Sequence, residues 1–133
     1  MKLLITGSSG LLGLNIALEA LGEHEVIGVD RAKLKSPPFQ TIQADLLDEG
    51  AMDSVLDAAR PDWLIHCAAI ADLEACEADP SLARRLNADV PSALAKACSE
   101  RSIRMVQIST DAVFDGMKSG SYTEDDAPIP VSV

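Results

Sequence analysis

The chain has 133 residues, a length typical of one domain with a substantial core. Hydrophobic residues make up 47% of it and aromatic residues only 3%, so the core must be built from aliphatic side chains and alanine. The formal net charge of -10 argues against a nucleic acid partner, because phosphate backbones are bound by clustered Lys and Arg.

The first third of the chain predicts a strand, a helix and a second strand. Lys2–Thr6 is short and apolar, and residues 11–21 carry apolar side chains on nearly every face, which predicts a buried helix. Gly22 ends that helix, and Glu25–Asp30 has the β-branched, apolar character of a strand. A strand, a helix and a strand in this order predict a βαβ unit.

The middle of the chain repeats this alternation. After a Pro-Pro loop, residues 39–44 predict a third strand, and apolar residues then recur at helical spacing over 52–59. Residues 63–68 predict a fourth strand. The pattern therefore continues to switch between short strands and helices.

A long helix and a fifth strand complete the predicted elements. An Asp-Pro pair at residues 79–80 is typical of a helix start, and the helix is predicted from about residue 81 towards residue 100. Pro91 has no N–H to donate to the carbonyl of Asn87, which predicts a kink or break there. Residues 104–109 predict the fifth strand.

These elements together predict an α/β fold of the Rossmann type. Strands that are apolar on both faces and alternate with helices favour a doubly wound parallel sheet with helices on both faces. No internal repeat or linker divides residues 1–133, so one domain is expected. No helical or strand periodicity follows the fifth strand.

The sequence carries no signature of a membrane span, a disulfide framework or a metal site. No apolar stretch approaches the roughly 18 residues of a membrane helix, and the first glycines come too early for a secretory signal, so we expect a cytoplasmic protein. The three cysteines, Cys67, Cys76 and Cys98, are widely spaced and form no Cys-x-x-Cys pair. Buried thiols are the favoured interpretation.

A glycine-rich segment lies between the first strand and the first helix, over residues 6–13. Gly7 permits a tight turn, Gly10 lets the backbone approach a ligand, and Gly13 allows close packing of helix and strand. The unpaired N–H groups at the helix start are then placed to receive a diphosphate. The alternative interpretation is a flexible turn that binds nothing.

An acidic residue, Asp30, ends the second strand about 20 residues beyond the first glycine. This is the position expected for the carboxylate that binds the hydroxyls of an adenosine ribose. Asp30 repels a 2′-phosphate and so favours NAD, whereas Arg31 beside it can pair with that phosphate. The sequence therefore predicts a dinucleotide cofactor, NAD or NADP, with NAD favoured.

The chain resembles the extended short-chain dehydrogenase/reductase superfamily, whose glycine motif has the Thr-Gly-x-x-Gly-x-x-Gly spacing found at residues 6–13. More specifically, it is similar to the dTDP-4-dehydrorhamnose reductase group. The stretches that carry this likeness span the whole chain and lie at residues 45–46, 66–69, 75–80, 87–88, 109–116 and 122–128.

The resemblance implies a set of cofactor contacts. Asp45 and Leu46 are expected against the adenine, and the small Ala68 and Ala69 beneath the phosphates and ribose, although an Ala-Ala pair also suits plain core packing. His66 is interpreted as a packed or hydrogen-bonded histidine and not as a proton carrier. The predicted cofactor-binding residues are Gly7, Ser9, Gly10, Leu11, Leu12, Gly13, Asp30, Arg31, Asp45, Leu46, Cys67, Ala68, Ala69 and Ile108.

The resemblance also implies a catalytic residue. Thr110 matches the Ser or Thr whose hydroxyl hydrogen-bonds the substrate carbonyl, and Asp111 follows it into the substrate site. The alternative is that these residues only cap the strand and turn the chain. Similar enzymes usually carry Tyr where this chain has Ala112, which predicts an altered substrate pocket.

The proton donor of these reductases is the Tyr of a Tyr-x-x-x-Lys motif, in which the Lys lowers the pKa of the Tyr. Tyr122 is followed four residues later by Asp126, so it does not match this motif. In similar enzymes the motif follows shortly after a Pro-rich stretch like residues 127–130, so the resemblance implies that the sequence is interrupted at Val133. We therefore expect a sheet that is incomplete at its C-terminal edge, no substrate-binding lobe, and no activity of this chain alone.

Three functions remain open at this point. The first is a reductase whose parent protein reduces a keto-sugar nucleotide or similar carbonyl with NAD(P)H. The second is a non-catalytic dinucleotide-binding module that regulates a partner, and the third is an epimerase or dehydratase on the same scaffold. A homodimer is among the assemblies that the sequence allows, whereas nucleic acid and membrane partners are not expected.

Overall fold

Residues 1–132, which this computed structural model describes, form a parallel sheet of five strands. Val133, where the interruption is expected, lies outside the described residues. The strand order is β3-β2-β1-β4-β5, so it reverses at β1, and doubly wound sheets bind ligands at such a point. The strands are β1 (Lys2–Thr6), β2 (Glu25–Asp30), β3 (Gln40–Gln43), β4 (Trp63–His66) and β5 (Arg104–Gln107).

Helices cover both faces of this sheet and build two apolar clusters. On one face, Leu4 and Leu64 pack with residues of α2 and α5, and on the other, Ile5 and Val26 pack with Ala17 of α1. The Rossmann-type α/β fold predicted from the sequence is confirmed. The helices are α1 (Leu11–Ala20), α2 (Ala51–Ala59), α3 (Leu73–Ala78), α4 (Pro80–Arg84) and α5 (Val90–Glu100).

The strands are predicted correctly in number and order along the chain, but three of them end early. β3, β4 and β5 stop one or more residues before the predicted ends at residues 44, 68 and 109. One further backbone hydrogen bond follows each of them, from the N–H of Ala44, Cys67 and Ile108. At the end of β4 the N–H groups of Cys67 and Ala68 also donate to the side chain of Thr6.

The prediction that the first helix is buried on nearly every face is wrong. Only Gly13 and Ala17 of α1 are buried, whereas Leu11 is 87% exposed and Leu12 and Leu18 are about half exposed. The two buried residues are small and four positions apart, so they lie on one side of the helix. α1 therefore approaches the sheet closely along a narrow stripe, with Leu14 and Ile16 packed partly buried beside it.

The long helix predicted from residue 81 to residue 100 is interrupted. A π-helical turn over Arg85–Asp89 separates α4 from α5, and the N–H of Val90 donates to the carbonyl of Arg85. Pro91 follows and has no N–H, so the α-helical pattern cannot pass through Asn87. The predicted break near Asn87 is confirmed.

The sequence pattern missed α3. Asp72 caps this helix, because its carboxylate accepts hydrogen bonds from the N–H groups of Glu74 (2.9 Å) and Ala75 (3.2 Å). Within residues 1–132, no helix is both long enough and apolar enough to cross a membrane.

Candidate functional site

The glycine-rich turn packs directly on the end of β4. Gly7 has a φ of +67°, and a Cβ on it would lie 2.8 Å from the backbone nitrogen of Ala68. A Cβ on Gly13 would lie 2.3 Å from the carbonyl oxygen of Gly7. Real Cβ atoms do not approach backbone atoms so closely, so both positions require glycine. The two glycines thereby allow the turn to pack closely against α1 and against the end of β4.

The start of α1 faces out of this turn. Among the described residues no side chain caps the helix, and its first helical hydrogen bond runs from the N–H of Leu14 to the carbonyl of Gly10 at 3.0 Å. The N–H groups of Leu11 and Leu12 precede that bond and have no acceptor within the helix. These donors and the helix dipole favour an anion at this point.

Asp30 links the turn to the loop after β2. One oxygen of its carboxylate accepts from the N–H of Ser9 at 3.0 Å, and the other accepts from the N–H of Ala32 at 3.0 Å. Each carboxylate oxygen can accept a second hydrogen bond. The predicted ribose-binding residue therefore sits beside the predicted diphosphate-binding turn with acceptor capacity left.

A cleft of about 160 Å³ opens next to Asp30, at the carboxyl ends of β2 and β3. The Oγ of Ser8 is buried and has no hydrogen-bond partner in the described part of the chain. Arg31, the predicted phosphate partner, is exposed and does not line this cleft. We call it the β2–β3 cleft, and its lining residues are Ser8, Asp30, Ala32, Lys33, Leu34, Thr41, Ile42 and Gln43.

The hydroxyl of Thr6 joins the ends of β1 and β4. It accepts hydrogen bonds from the N–H groups of Cys67 (3.2 Å) and Ala68 (3.3 Å) and lies 2.6 Å from Nδ1 of His66. With both lone pairs used, its own O–H must donate to Nδ1. Burial lowers the pKa of His66 to about 4, so the ring is neutral at pH 7.

The remaining predicted cofactor-binding residues differ in how deeply they are buried. The side chain of Leu46 is buried in the core, so only its backbone is available to a ligand. Asp45 accepts from the N–H of Leu47 at 2.9 Å, and Ala69 is exposed. Cys67 is half-buried, which raises the pKa of its thiol, and Ile108 donates its N–H to the carbonyl of His66.

Thr110 and Asp111 lie just beyond β5, on the surface. The hydroxyl of Thr110 accepts from the N–H of Ala112 at 3.2 Å and donates to the carboxylate of Asp111 at 3.3 Å. Thr110 thereby caps a short 3-10 turn over Asp111–Val113. The capping contact is present, and the role of Thr110 towards a substrate stays a prediction.

A family model described as the RmlD substrate binding domain matches residues 1–133 of the chain. The chain belongs to the RmlD family. It is 35% identical, over 98% of its length, to a probable low-salt glycan biosynthesis reductase of Haloferax volcanii. It is 34% identical, over 99% of its length, to methionine adenosyltransferase 2 subunit beta of Pongo abelii. It spans only 44% and 39% of these two relatives.

Solved structures support the same assignment. A hypothetical dTDP-4-dehydrorhamnose reductase from Sulfolobus tokodaii superposes with a TM-score of 0.90 at 35% identity, over 99% of this chain and 47% of that one. A UDP-glucose 4-epimerase of Thermus thermophilus in complex with NAD superposes with a TM-score of 0.89 at 26% identity. This match covers 99% of this chain and 45% of the epimerase chain. The predicted resemblance to extended short-chain reductases and epimerases is confirmed.

Tyr122 of this RmlD-family chain is engaged in a surface loop. Its hydroxyl donates to Asp115 at 2.7 Å, and its ring stacks on Phe114 with ring centroids 4.2 Å apart. The pKa of Asp115 is lowered by hydrogen bonds from the N–H of Met117 and from Tyr122. The Tyr122 hydroxyl thus has a structural partner close by in the sequence.

Sequence reasoning missed two other features of the RmlD-family site. Asn87 holds the loop after β4, because its side-chain amide donates to the carbonyl of Ile70 at 3.0 Å and accepts from the N–H of Ile70 at 2.9 Å. Lys33 and Ser8 enter the β2–β3 cleft. In the sequence, residues 87–88 were informative only through their likeness to the family. No spacing rule indicates which lysine of a loop lines a cleft.

Proposed function

We propose that this chain is the dinucleotide-binding part of an NAD(P)-dependent reductase that acts on the carbonyl group of a nucleotide-linked sugar. Residues 1–133 would form the N-terminal part of the Rossmann domain, and the substrate-binding lobe would come from other sequence. The support is membership of the RmlD family, together with similarity to a glycan biosynthesis reductase and to a dTDP-4-dehydrorhamnose reductase structure.

The observation that carries this proposal is the hydrogen bond between the N–H of Ser9 and the carboxylate of Asp30. It fixes a ribose-type acceptor next to the uncapped start of α1, as a dinucleotide with adjacent ribose and diphosphate requires. The unpartnered, buried hydroxyl of Ser8 lines the same cleft as Asp30. The residues present therefore fit an NAD-type cofactor.

Each part of the site would have one task. The N–H groups of Leu11 and Leu12 would bind the diphosphate, and Asp30 the adenosine ribose. Thr6 holds the end of β4 against the glycine turn, so that Ala68 presents little side chain to the ligand. When bound, the dinucleotide supplies the hydride for reduction of a carbonyl.

The hydroxyl of Thr110 would hydrogen-bond the substrate carbonyl, and Asp111 would line the substrate site. Thr110 now donates to Asp111 at 3.3 Å, a long bond that a substrate oxygen can replace. A preorganised donor at a carbonyl oxygen stabilises the charge that develops there during reduction. Both side chains are exposed at the carboxyl end of the sheet, where such folds bind ligands.

A regulatory module is the second candidate. The identity to methionine adenosyltransferase 2 subunit beta is close to that to the reductase, at 34% against 35%. An epimerase is the third, on the likeness to the UDP-glucose 4-epimerase structure in complex with NAD. All three functions would use the same cofactor site, and they would differ in what happens to the cofactor.

The test is NAD(P)H consumption by the intact protein with a panel of nucleotide-linked 4-keto sugars. We expect consumption with at least one sugar, and a loss of about 100-fold in kcat for Thr110→Val, the usual cost of removing one such donor. Ser109→Ala removes the neighbouring hydroxyl and should leave kcat unchanged.

Two results would contradict a reductase. Cofactor binding without consumption of NAD(P)H by any sugar would favour the regulatory module. Conversion of a sugar to its isomer with no net consumption of cofactor would favour the epimerase.

A further inference from the structure

We infer that Tyr122 is a positioning residue for Thr110, because through Phe114 it fixes the turn from which the Thr110 hydroxyl would meet the substrate carbonyl. This inference rests on the proposed function, since it assigns to Tyr122 a task in the same reaction. Tyr122 does not match the proton donor of the family's motif, because Asp126 stands where that motif has Lys. The contacts of its ring and of its hydroxyl give it a different role.

The ring of Tyr122 stacks on the ring of Phe114, with centroids 4.2 Å apart and ring planes 14° from parallel. The chain has one Trp, one Tyr and two Phe, so this stack uses half of its aromatic residues. Stacked aromatic rings attract each other by more than the burial of their surfaces accounts for. Phe114 therefore cannot shift without losing this contact.

Phe114 in turn ends the 3-10 turn over Asp111–Val113. Its N–H donates to the carbonyl of Asp111 at 3.1 Å, and inside the turn the N–H of Ala112 donates to the Thr110 hydroxyl at 3.2 Å. Short 3-10 turns have poorer hydrogen-bond geometry than α-helices, so this one needs support from outside. The position of the Thr110 hydroxyl thus depends on where Phe114 is held.

The hydroxyl of Tyr122 is fixed as firmly as its ring. It donates to Asp115 at 2.7 Å and accepts from the N–H of Lys118 at 3.1 Å. Hydrogen bonds from the N–H of Met117 and from Tyr122 lower the pKa of Asp115, so the acceptor is an ionised carboxylate at pH 7, which makes the bond stronger. Tyr122 therefore holds two consecutive residues, Phe114 by its ring and Asp115 by its hydroxyl.

A second carboxylate holds the backbone on the other side of Tyr122. Asp126 accepts from the N–H of Thr123 at 2.7 Å, from the hydroxyl of Thr123 at 3.0 Å and from Nζ of Lys118 at 2.5 Å. The same Nζ lies 5.7 Å from the centroid of the Tyr122 ring, within the range of a cation–π contact. Tyr122 is thus in place before a substrate arrives, and a group that is positioned in advance acts without rearrangement.

The experiment is a double-mutant cycle between Tyr122 and Thr110 in the intact protein, with kcat measured for a nucleotide-linked 4-keto sugar that the unmodified protein reduces. Tyr122→Phe keeps the ring and removes the bond to Asp115. It should lower kcat about tenfold, since a slightly misplaced catalytic group still acts. In Thr110→Val protein the same change should lower kcat no further, because no hydroxyl is left to position. The Kd of NADH should stay within about twofold, as the cofactor site is not altered.

Ser121→Ala is the matched control, because it removes the neighbouring, exposed hydroxyl of the same loop. It should leave kcat unchanged in both backgrounds. Hydrogen exchange at the amides of Ala112 and Phe114 reports on the turn without any substrate. We expect exchange about tenfold faster in Tyr122→Phe, as for the loss of one supporting hydrogen bond, and unchanged in Ser121→Ala.

The inference is overturned if Tyr122→Phe matches Ser121→Ala in kcat or in amide exchange. It is also overturned if Tyr122→Phe lowers kcat as much in Thr110→Val protein as in the unmodified protein, because Tyr122 would then act independently of Thr110. A folded protein that consumes no NAD(P)H with any sugar overturns the proposed function, and the catalytic part of this inference with it. Amide exchange then still decides whether Tyr122 fixes the turn, so the two failures are distinguishable.

Discussion

One hydroxyl group, that of Thr6, organises the end of β4. It accepts hydrogen bonds from the N–H groups of Cys67 and Ala68, which follow β4, and donates to His66. A single side chain therefore joins the end of β1, where the glycine turn begins, to the predicted cofactor-binding residues after β4. His66 then carries its hydrogen on Nε2, a buried atom without a partner in the described residues. The ring is held neutral by burial and packing.

This burial makes stability depend on pH. The pKa of His66 is about 4 in the folded protein and 6.5 when unfolded, so below pH 6.5 the unfolded state binds the extra proton first. The free energy of unfolding should fall by about 3 kcal/mol as the pH drops from 6.5 to 4. Urea unfolding of the intact protein across this range measures it.

His66→Gln should remove that part of the pH dependence, and His24→Gln should retain it. If the Gln variant does not fold, NMR titration of the His66 ring in the unmodified protein gives the same information. A ring that protonates near pH 6.5 would contradict this account, as would equal pH slopes for the His66→Gln and unmodified proteins.

At the scale of single residues, the sequence was informative where the backbone conformation or a close approach requires one residue type, or where a residue stands at the end of a strand. Asp30 and the glycines are of this kind, and the structure places them together. Lys33, Ser8 and Asn87 are not, because their surroundings depend on how loops from distant parts of the chain fold over the sheet. Local spacing carries no such information.

Among the elements, α1 and the glycine turn depend on each other for their positions. Gly13 brings the helix so close to Gly7 that the two backbones are in contact. This proximity places the uncapped N–H groups of α1 at the reversal point of the sheet. It also explains why the two fully buried residues of α1 are glycine and alanine, whereas larger side chains of the helix, such as Leu14 and Ile16, are only partly buried.

Gly13→Ala should therefore be strongly destabilising. Its Cβ would lie 2.3 Å from the oxygen and 2.8 Å from the carbon of the Gly7 carbonyl, so the backbone itself must move. We expect a loss of about 2–3 kcal/mol in the free energy of unfolding, the range for overpacking a rigid site. Gly22→Ala is the control, because nothing lies within 4 Å of a Cβ there. Equal midpoints of urea unfolding for the two variants would contradict the packing argument.

The region from α3 to α5 shows where element prediction reached its limit. The break at the π-helical turn was foreseen from Pro91, because a missing N–H acts locally. The helix α3 was not, since it has only six residues and one buried side chain, that of Cys76. Such a helix shows no periodicity, and its one clear signal is the capping Asp72.

On the scale of the whole molecule, alternation of strands and helices was sufficient to predict the parallel sheet. Apolar strands need cover on both faces, and right-handed crossovers then leave few possible topologies. β3 and β5 are the edge strands, and Val106 of β5 is 39% exposed. Exposed edge strands invite pairing with further strands or other chains.

The central claim is that the glycine turn and Asp30 form one dinucleotide site, and calorimetric titration of the intact protein with NADH tests it most directly. We predict saturable binding at one site per chain, weakened about tenfold or more by Asp30→Asn and unchanged by Asp125→Asn, which alters an exposed carboxylate elsewhere. Absence of binding to the folded protein, or equal affinity for NADH in the two variants, would contradict the claim.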